Sequence, residues 1–379
     1  MFLGHYMKHG KTLRSLVCKK GNDIRMEQKE SPDDKILQED LDYLVENFDF
    51  SGLYNSSILV TGATGLIGSQ IIKLFLCLNR IKNAGITIYA LIRDYNKAEK
   101  IFRTLNERIN FVIGDIRSFP YINEHIDYII HGANETSSKM FVEKPVETID
   151  TAYSGTRSML EFAKVKKIKS FVYLSSLEVF GITDSREIKE NDYGYIDILN
   201  PRSSYSESKR MCECLCACYA YEYNVPVRIA RLVQVLGPGV DYNDNRVAVQ
   251  FARNVIENKN IILKTEGKMR RPCIYTRDAL TGILTVLLKG NDGKAYSVAN
   301  TDTTASIHEI AEMISKKIAN NKINVIFDID IPPEYATNLT LNLNLNIDLI
   351  QSIGWKAEIG LEDAYLRLIN SMKQEKALC

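Results

Sequence analysis

Residues 57–69 read SILVTGATGLIGS and combine a short apolar run, three glycines at positions 62, 65 and 68, and the start of an apolar pattern with helical spacing. The apolar run predicts a strand that ends at Thr61, and residues 66–78 predict the helix that follows. In such a turn Gly62 takes a positive φ, Gly65 lets the backbone approach a phosphate, and Gly68 lets the helix pack closely on the strand. The free N–H groups of the helix's first turn then point at the anion. The stretch predicts a nucleotide pyrophosphate site formed by Gly62, Thr64, Gly65, Leu66, Ile67 and Gly68.

The composition is that of an ordinary enzyme-sized chain. Its 379 residues are 45% hydrophobic and 25% charged, enough for one large or two modest domains with apolar cores. The formal net charge of +1 argues against a nucleic-acid partner, because binding to a phosphate backbone needs concentrated positive charge. No apolar run is long enough for a membrane span, so we expect no membrane partner. The basic residues 1–20 lack a continuous apolar segment and a small-residue cleavage site, which favours a solvated extension over a targeting segment.

Eight cysteines raise the question of a metal site. Four of them alternate at positions 212, 214, 216 and 218, and on a helix only the pairs 212/216 and 214/218 share a face. This spacing does not bring four thiolates around one ion, so we expect no metal. We interpret the four as buried, reduced cysteines, which predicts a cytoplasmic location.

Further along the chain, short apolar runs alternate with helical patterns. The runs that predict strands lie at residues 86–92, 111–113, 128–131, 171–175 and 226–230; helical patterns lie at 34–48, 146–166 and 206–223, with a Lys-rich helix after Asp94. This alternation predicts an α/β fold, a Rossmann-type doubly wound parallel sheet that binds ligands at the carboxyl ends of its strands. Beyond about residue 236 the alternation loosens, which favours a smaller C-terminal substrate-binding region. The segment LTLNLNLNIDL near residue 340 is too short to predict a repeat.

These patterns divide the chain into three expected parts. Residues 1–54 form an N-terminal extension with one helix, residues 55–236 a dinucleotide-binding Rossmann domain with return segments near 270–300, and residues 237–379 the substrate-binding region.

A second group of residues indicates chemistry. Tyr205 and Lys209 stand four apart on the predicted helix, so the ammonium can lie beside the phenol and favour its ionised form. A phenol with an ordinary pKa of about 10 needs such help to act as a base at neutral pH. Ser175 and Ser176 end a predicted strand upstream.

Taken in order, these motifs resemble the extended short-chain dehydrogenase/reductase family, in particular its NAD(P)-dependent nucleotide-sugar epimerases, dehydratases and decarboxylases. The resemblance covers about residues 56–300. TGATGLIGS resembles the family's TGxxGxxG cofactor loop, GDI at 114–116 its adenine-contacting GD[IL], and SSLEVFG at 175–181 its SSxxVYG. PRSSYSESKRMCE resembles the PxxxYxxSK helix start, ARLVQVLGPG at 230–239 the RxxNxYGPG turn, and MRRPCIYTRDAL the segment where an arginine meets the nucleotide diphosphate.

The resemblance implies a role for individual residues. Tyr205 takes the proton from a sugar C4 hydroxyl while the C4 hydride passes to the nicotinamide, Ser176 steers the same oxygen, and Lys209 also bonds the nicotinamide ribose. The implied substrate is a nucleotide-diphosphate sugar, which passes through a transient 4-keto form. The residues implied to bind it are Ser176, Gln234 and Arg271, and those implied to contact the adenine are Asp115 and Ile116.

Three fates of the keto sugar stay open. Return of the hydride to the other face makes a 4-epimerase, which is the reaction we expect. Removal of H5 with loss of the C6 hydroxyl makes a 4,6-dehydratase, and loss of CO2 makes a UDP-glucuronate-type decarboxylase. Glu178 stands where dehydratases and decarboxylases of the family carry a catalytic glutamate, although it could instead be a structural carboxylate that caps nearby backbone. Leu177 replaces the Asp or Ser that those enzymes have beside the glutamate, which weakens the case for dehydration.

The choice of cofactor rests on the end of the second strand. An acidic residue there binds the ribose 2′-OH of NAD, whereas an arginine accommodates the 2′-phosphate of NADP. Here Arg93 comes first and Asp94 next, followed by Lys97. The residues favour NADP, but an enzyme that recycles its own cofactor does not draw on NADPH, so we expect NAD.

Two other functions stay open, an NADPH-dependent carbonyl reductase and a non-catalytic NAD(P)H sensor. A complete Ser176, Tyr205 and Lys209 set argues against the sensor. The resemblance also implies a homodimer that forms through the helices at about 146–166 and 206–223.

Overall fold

The structure is a computed structural model that describes residues 29–120, 122–183, 187–329 and 343–378. Its strands, in chain order, are β1 (Ser57–Thr61), β2 (Thr87–Ile92), β3 (Asn110–Ile113), β4 (Tyr128–His131), β5 (Ser170–Ser176), β6 (Val227–Leu232), β7 (Gln234–Leu236), β8 (Ile261–Leu263), β9 (Arg270–Tyr275), β10 (Ala295–Val298), β11 (Asn300–Ser306) and β12 (Val325–Phe327). Its α-helices are α1 (Lys35–Asn47), α2 (Leu66–Lys82), α3 (Tyr95–Phe102), α4 (Ser138–Glu143), α5 (Pro145–Lys166), α6 (Ser204–Tyr223), α7 (Val247–Glu257), α8 (Thr276–Lys289), α9 (Ile307–Met313), α10 (Asp348–Ser352) and α11 (Leu361–Leu378).

Seven parallel strands form the central sheet in the spatial order β10-β6-β5-β4-β1-β2-β3. Strands β4 and β5 are buried along nearly their whole length, as expected when helices cover both faces of a parallel sheet. The order reverses between β1 and β4, and ligands bind at such a crevice beyond the carboxyl ends of the strands. The predicted Rossmann-type, doubly wound sheet is confirmed.

The apolar side chains gather in three clusters. Two cover the faces of the central sheet, one with α2 and α8 and the other with α5 and α6. The third belongs to the C-terminal region, where β9 pairs with β7 and β11, and β12 pairs with β8. Within the described residues this region holds more regular structure than the loosened pattern after residue 236 predicted. The division into domains at residues 54 and 236 stays a prediction.

The helix expected at 34–48 is α1. Asp34 is its N-cap and accepts a hydrogen bond from the Leu37 N–H at 3.0 Å. Its apolar face packs in the same cluster as β1 and α2, so this part of the extension belongs to the core of the sheet. Residues 1–28 and the first four residues of LTLNLNLNIDL, 339–342, lie outside the described residues.

The cysteine interpretation is half wrong. Cys212 and Cys216 are buried in α6, whereas Cys214 and Cys218 are exposed on its outer face. A helix with one packed face cannot bury four alternating positions. Across the part of the chain that the structure describes, no three His, Cys, Asp or Glu side chains are placed to hold a metal ion, and no helix is both long and apolar enough to cross a bilayer.

Candidate active site

The glycine loop has the geometry that its sequence predicts. Gly62 takes φ +71°, and a Cβ on it would lie 2.8 Å from the Gly132 carbonyl. A Cβ on Gly68 would lie 2.3 Å from the Gly62 carbonyl oxygen, so helix α2 can approach β1 only without a side chain there. Both positions need glycine for the fold itself.

Gly65 is different, because a Cβ on it would meet only one atom, the Gly62 carbonyl oxygen at 3.2 Å. Gly65 is exposed and is the N-cap of α2, and no side chain among the described residues caps the first turn. Thr64, Leu66 and Ile67 are partly exposed around it. The free N–H groups of this turn and the small residues around them fit a dinucleotide pyrophosphate.

The residues expected near the adenosine follow the next two strands at the same edge of the sheet. Arg93 and Asp94 are exposed after β2, and Asp94 caps α3 by accepting a hydrogen bond from the Lys97 N–H at 3.1 Å. Asp115 follows β3, where hydrogen bonds from the Arg117 side chain lower its pKa to about 2. Ile116 is buried against α5.

Tyr205 and Ser176 meet at the carboxyl end of β5. Ser176 is the last residue of that strand, and Tyr205 lies in the first turn of α6, where 8% of its surface is exposed. Burial raises the pKa of the Tyr205 phenol, and the Glu178 charge raises it further. A hydrogen bond with Ser176 and the charge of Arg202 lower that pKa. The hydroxyl pair expected from the sequence is therefore in contact.

Lys209 lies near the Tyr205 ring, with its ammonium bound to the backbone. Its Nζ donates a hydrogen bond to the Leu174 carbonyl at 2.7 Å and lies 5.8 Å from the centroid of the Tyr205 ring. Burial lowers the pKa of Lys209 to about 8. The positive charge that acts on the Tyr205 pKa in this structure is the guanidinium of Arg202, a residue that sequence reasoning did not single out.

Glu178 is held by two neighbours. Arg202 donates from both terminal nitrogens to its two carboxylate oxygens, at 3.1 and 3.0 Å, and the Ser206 hydroxyl donates at 2.7 Å. Ser206 follows Tyr205 on α6, and Arg202 lies in a short 3-10 turn, Pro201–Ser203. Both were visible in PRSSYS, but the sequence does not show that this turn reaches back to Glu178.

Phe141, also missed, stacks on Tyr205. Their ring centroids are 4.2 Å apart with an angle of 11° between the planes. Phe141 comes from α4, and nothing in the spacing of NETSSKMFVEKP marks it as part of the site.

Gln234 and Arg271 come together across the paired strands β7 and β9. Both line a small cleft with Leu236 and Tyr365. Arg271 is largely buried, and its Nε has no hydrogen-bond partner among the residues described. Burial lowers the pKa of Arg271, and the nearby charge of Glu178 opposes this effect. A guanidinium in this position suits an anionic group of a ligand.

A wider groove lies away from these residues. It has a volume of about 890 Å³ and includes Lys189, Arg210, Lys294 and Asp348 in its lining. None of the predicted site residues borders it, so volume does not locate the chemistry here.

Comparison with known proteins gives the family of the chain. Residues 58–299 match the model of the NAD dependent epimerase/dehydratase family. The chain belongs to this family. This chain is 24% identical over 320 residues to UDP-glucuronic acid decarboxylase 1 of Xenopus tropicalis, and the match covers 84% of this chain and 72% of that protein. It is 29% identical over 287 residues to dTDP-D-glucose 4,6-dehydratase of Dictyostelium discoideum, covering 72% of this chain and 63% of that one.

Solved structures share the fold of this family member. An epimerase of Methanothermobacter thermautotrophicus has a TM-score of 0.73 at 20% identity, with 88% of this chain and 97% of that chain covered. A UDP-glucose 4-epimerase of Thermotoga maritima, solved with UDP-glucose, has a TM-score of 0.69 at 18% identity, with 85% and 100% covered. The expected family and fold are confirmed, while the roles of individual residues stay predictions.

Proposed function

We propose that the protein is a nucleotide-sugar 4-epimerase that works through a transient 4-keto sugar. The observation that carries the proposal is the Tyr205–Ser176 hydroxyl pair at the edge of the sheet that also presents the glycine loop. A proton acceptor and a hydrogen-bond partner at one point suit the oxidation of a single sugar hydroxyl.

The residues divide this work between them. The ionised Tyr205 phenol takes the proton of the C4 hydroxyl, and Ser176 holds the same oxygen in place. Lys209, four residues after Tyr205 on the same helix, would bond the cofactor ribose. When bound, the nicotinamide supplies a hydride acceptor that can return the hydride to C4. The glycine loop with Arg93, Asp94, Asp115 and Ile116 would hold that dinucleotide.

The state of Glu178 argues against dehydration. Three hydrogen bonds hold the Glu178 carboxylate against Arg202 and Ser206, so taking a proton from the sugar C5 would compete with contacts that the carboxylate already makes. The adjacent Leu177 is apolar and 5% exposed, so it offers no proton for the leaving C6 hydroxyl. Epimerisation at C4 needs neither group.

Decarboxylation of a UDP-glucuronate-type sugar is the second candidate. It too requires no base at C5, and the largely buried Arg271 guanidinium would suit a sugar carboxylate as well as a diphosphate. The relatives named UDP-glucuronic acid decarboxylase favour this reaction.

We further propose NAD as the cofactor, because the reaction returns its hydride. Free cysteines throughout the described residues favour the reducing cytoplasm. We also propose a homodimer whose interface is formed by α5 and α6.

Incubation with a panel of UDP-, dTDP-, GDP- and CDP-sugars tests the reaction. Mass spectrometry and proton NMR of the products then separate the candidates. Unchanged mass with a new configuration at C4 is the expected result. Loss of CO2 would establish the second candidate, loss of water would overturn both, and net oxidation of NADPH with a ketone would indicate a carbonyl reductase. Binding of NAD(H) without turnover of any sugar would support the sensor.

A further inference from the structure

Three buried side chains, one of them the proposed base Tyr205, form a stack. The Tyr205 ring lies 4.2 Å from the Phe141 ring, and the guanidinium of Arg202 lies 4.7 Å from that ring's centroid. Each of the three has at most 8% of its surface exposed. The Ser204 hydroxyl donates to the Phe141 carbonyl at 3.0 Å and ties α4 to the start of α6. The stack leaves the Tyr205 ring little rotational freedom.

Arg202 acts on a second neighbour at the same time. Its two terminal nitrogens hold Glu178 in a bidentate pair, the arrangement that fixes a carboxylate most firmly in place. Side-chain exposure is 8% for Arg202 and 21% for Glu178, so solvent screens the pair only partly. One guanidinium therefore stacks on Phe141 and binds the carboxylate that faces Tyr205.

Each element packed around Tyr205 contributes a polar or charged group near its phenol. Ser176 and Tyr173 come from β5, Glu178 from the turn after it, and Lys209 from α6 itself. Arg271 of β9 faces Glu178. Glu178 disfavours the phenolate, and Arg202 favours it. Because Arg202 is bound to Glu178, its charge offsets the carboxylate's effect at the phenol.

We propose that Arg202 is a positioning residue for Tyr205: it stacks with Phe141 to orient the phenol, and it clamps Glu178 so that the carboxylate does not block ionisation of that phenol. This rests on the proposed function for the role of Tyr205 as a base. The arrangement itself is independent of which sugar is bound.

Fluorine NMR of protein labelled with 3,5-difluorotyrosine tests the proposal without any substrate. Fluorination makes the phenol more acidic, and the resonance that disappears in Tyr205→Phe identifies the residue. Arg202→Met should raise the titration midpoint of Tyr205 by about one pH unit or more, because Glu178 loses its partner. Glu178→Gln should lower the midpoint, and the double variant should return to within about half a unit of the wild type. An unchanged or lowered midpoint in Arg202→Met would overturn the proposal.

Two further variants separate positioning from general stability. Arg228 pairs with Asp292 at the amino end of β6, far along the sheet from the site, so Arg228→Met removes a guanidinium–carboxylate pair outside the site and should leave the midpoint unchanged. Arg202→Lys keeps the charge and loses the bidentate clamp, and an intermediate shift is expected. If Arg202→Met does not fold, Arg202→Lys decides, and a wild-type midpoint there counts against the proposal.

The pH profile of turnover gives the second readout. Its rising limb should move to higher pH in Arg202→Met by the same amount as the fluorine midpoint, with kcat affected more than KM. A wild-type protein that turns over no nucleotide sugar would overturn the proposed function, whereas the fluorine titration would still decide the role of Arg202.

Discussion

Lys209 is a charged side chain that the fold buries almost completely. Its pKa is about 8 in the folded chain against an ordinary value of 10.5, because burial disfavours the charged form. Below pH 8 the folded protein must carry this ammonium without full hydration. The residue therefore destabilises the fold while serving the site.

Replacement of Lys209 should make the protein more stable and inactive. We expect Lys209→Met to raise the free energy of unfolding at pH 7 by about 1 to 3 kcal/mol, measured by urea denaturation. Between pH 8 and 10.5 the unfolded chain binds this proton more tightly than the folded chain, so wild-type stability rises with pH there and the advantage of the variant should shrink. A variant that is less stable than the wild type at pH 7 would contradict this.

Removal of the Tyr205 hydroxyl tests the proposed base. Tyr205→Phe keeps the ring that stacks on Phe141 but leaves no proton acceptor. We expect turnover to fall by about 100-fold or more, with cofactor affinity within about twofold of the wild type by fluorescence titration. Tyr195→Phe, at a tyrosine that is 66% exposed, is the matched control. Near-normal turnover in Tyr205→Phe would exclude the mechanism.

Arg93 decides the choice of cofactor. Its side chain is exposed at the end of β2, while one oxygen of its neighbour Asp94 already caps α3. If NAD is the cofactor, Arg93→Ala should leave NAD+ affinity within about twofold, because no 2′-phosphate is lost. Calorimetric titration of the apo protein with NAD+ and NADP+ measures both affinities. A preference for NADP+ that disappears in Arg93→Ala would show that the choice of NAD is wrong.

The residues of the site that could be predicted are those whose spacing has a direct physical meaning. Gly62 and Gly68 follow from the close approach of strand and helix, and Ser176 with Tyr205 from the ends of predicted elements. Arg202 and Phe141 could not be found this way. They reach the site through a 3-10 turn and a six-residue helix whose paths depend on packing rather than on periodicity.

At the scale of elements, the buried parallel strands are the easiest to predict from the sequence. Strand β4 lies at Tyr128–His131 as predicted, because a short, continuous apolar run is typical of a strand that is buried on both faces of a parallel sheet. Strands β7 and β12 have three residues each, which is too short for an alternating apolar–polar pattern to show in the sequence. Their position is set by pairing with β9 and β8, which lie far away in the sequence.

Helix α1 belongs to the fold although it precedes the glycine loop. Leu41 is fully buried in the cluster that includes β1 and α2. We expect Leu41→Ala to lower the free energy of unfolding by about 2 to 5 kcal/mol in urea denaturation, as large-to-small core substitutions do. Leu41→Met, which conserves volume, should cost less than about 1.5 kcal/mol. A loss below about 1 kcal/mol in Leu41→Ala would mean that α1 is a loosely attached extension.

At the scale of the whole molecule, the outer surface of α5 and α6 has the exposed apolar side chains that are typical of a protein–protein interface. The two helices pack side by side, and both expose apolar side chains. Val146, Ile149 and Tyr153 on α5, with Met211 and Tyr221 on α6, are between 37% and 93% exposed. Isolated exposed apolar residues are ordinary, but a group of them on adjacent helices is typical of an interface.

A second copy of the chain is the partner we predict for this surface. Sedimentation should give twice the chain mass of 43.1 kDa. In a two-fold symmetric interface each substitution occurs twice, so Met211→Lys combined with Tyr221→Lys places four positive charges there. The double variant should be a folded monomer with unchanged circular dichroism. Leu199→Lys changes a residue that is 89% exposed on a different segment and should leave the dimer intact. A wild-type monomer would contradict the prediction, and a dimer that survives the double substitution would place the interface on another surface.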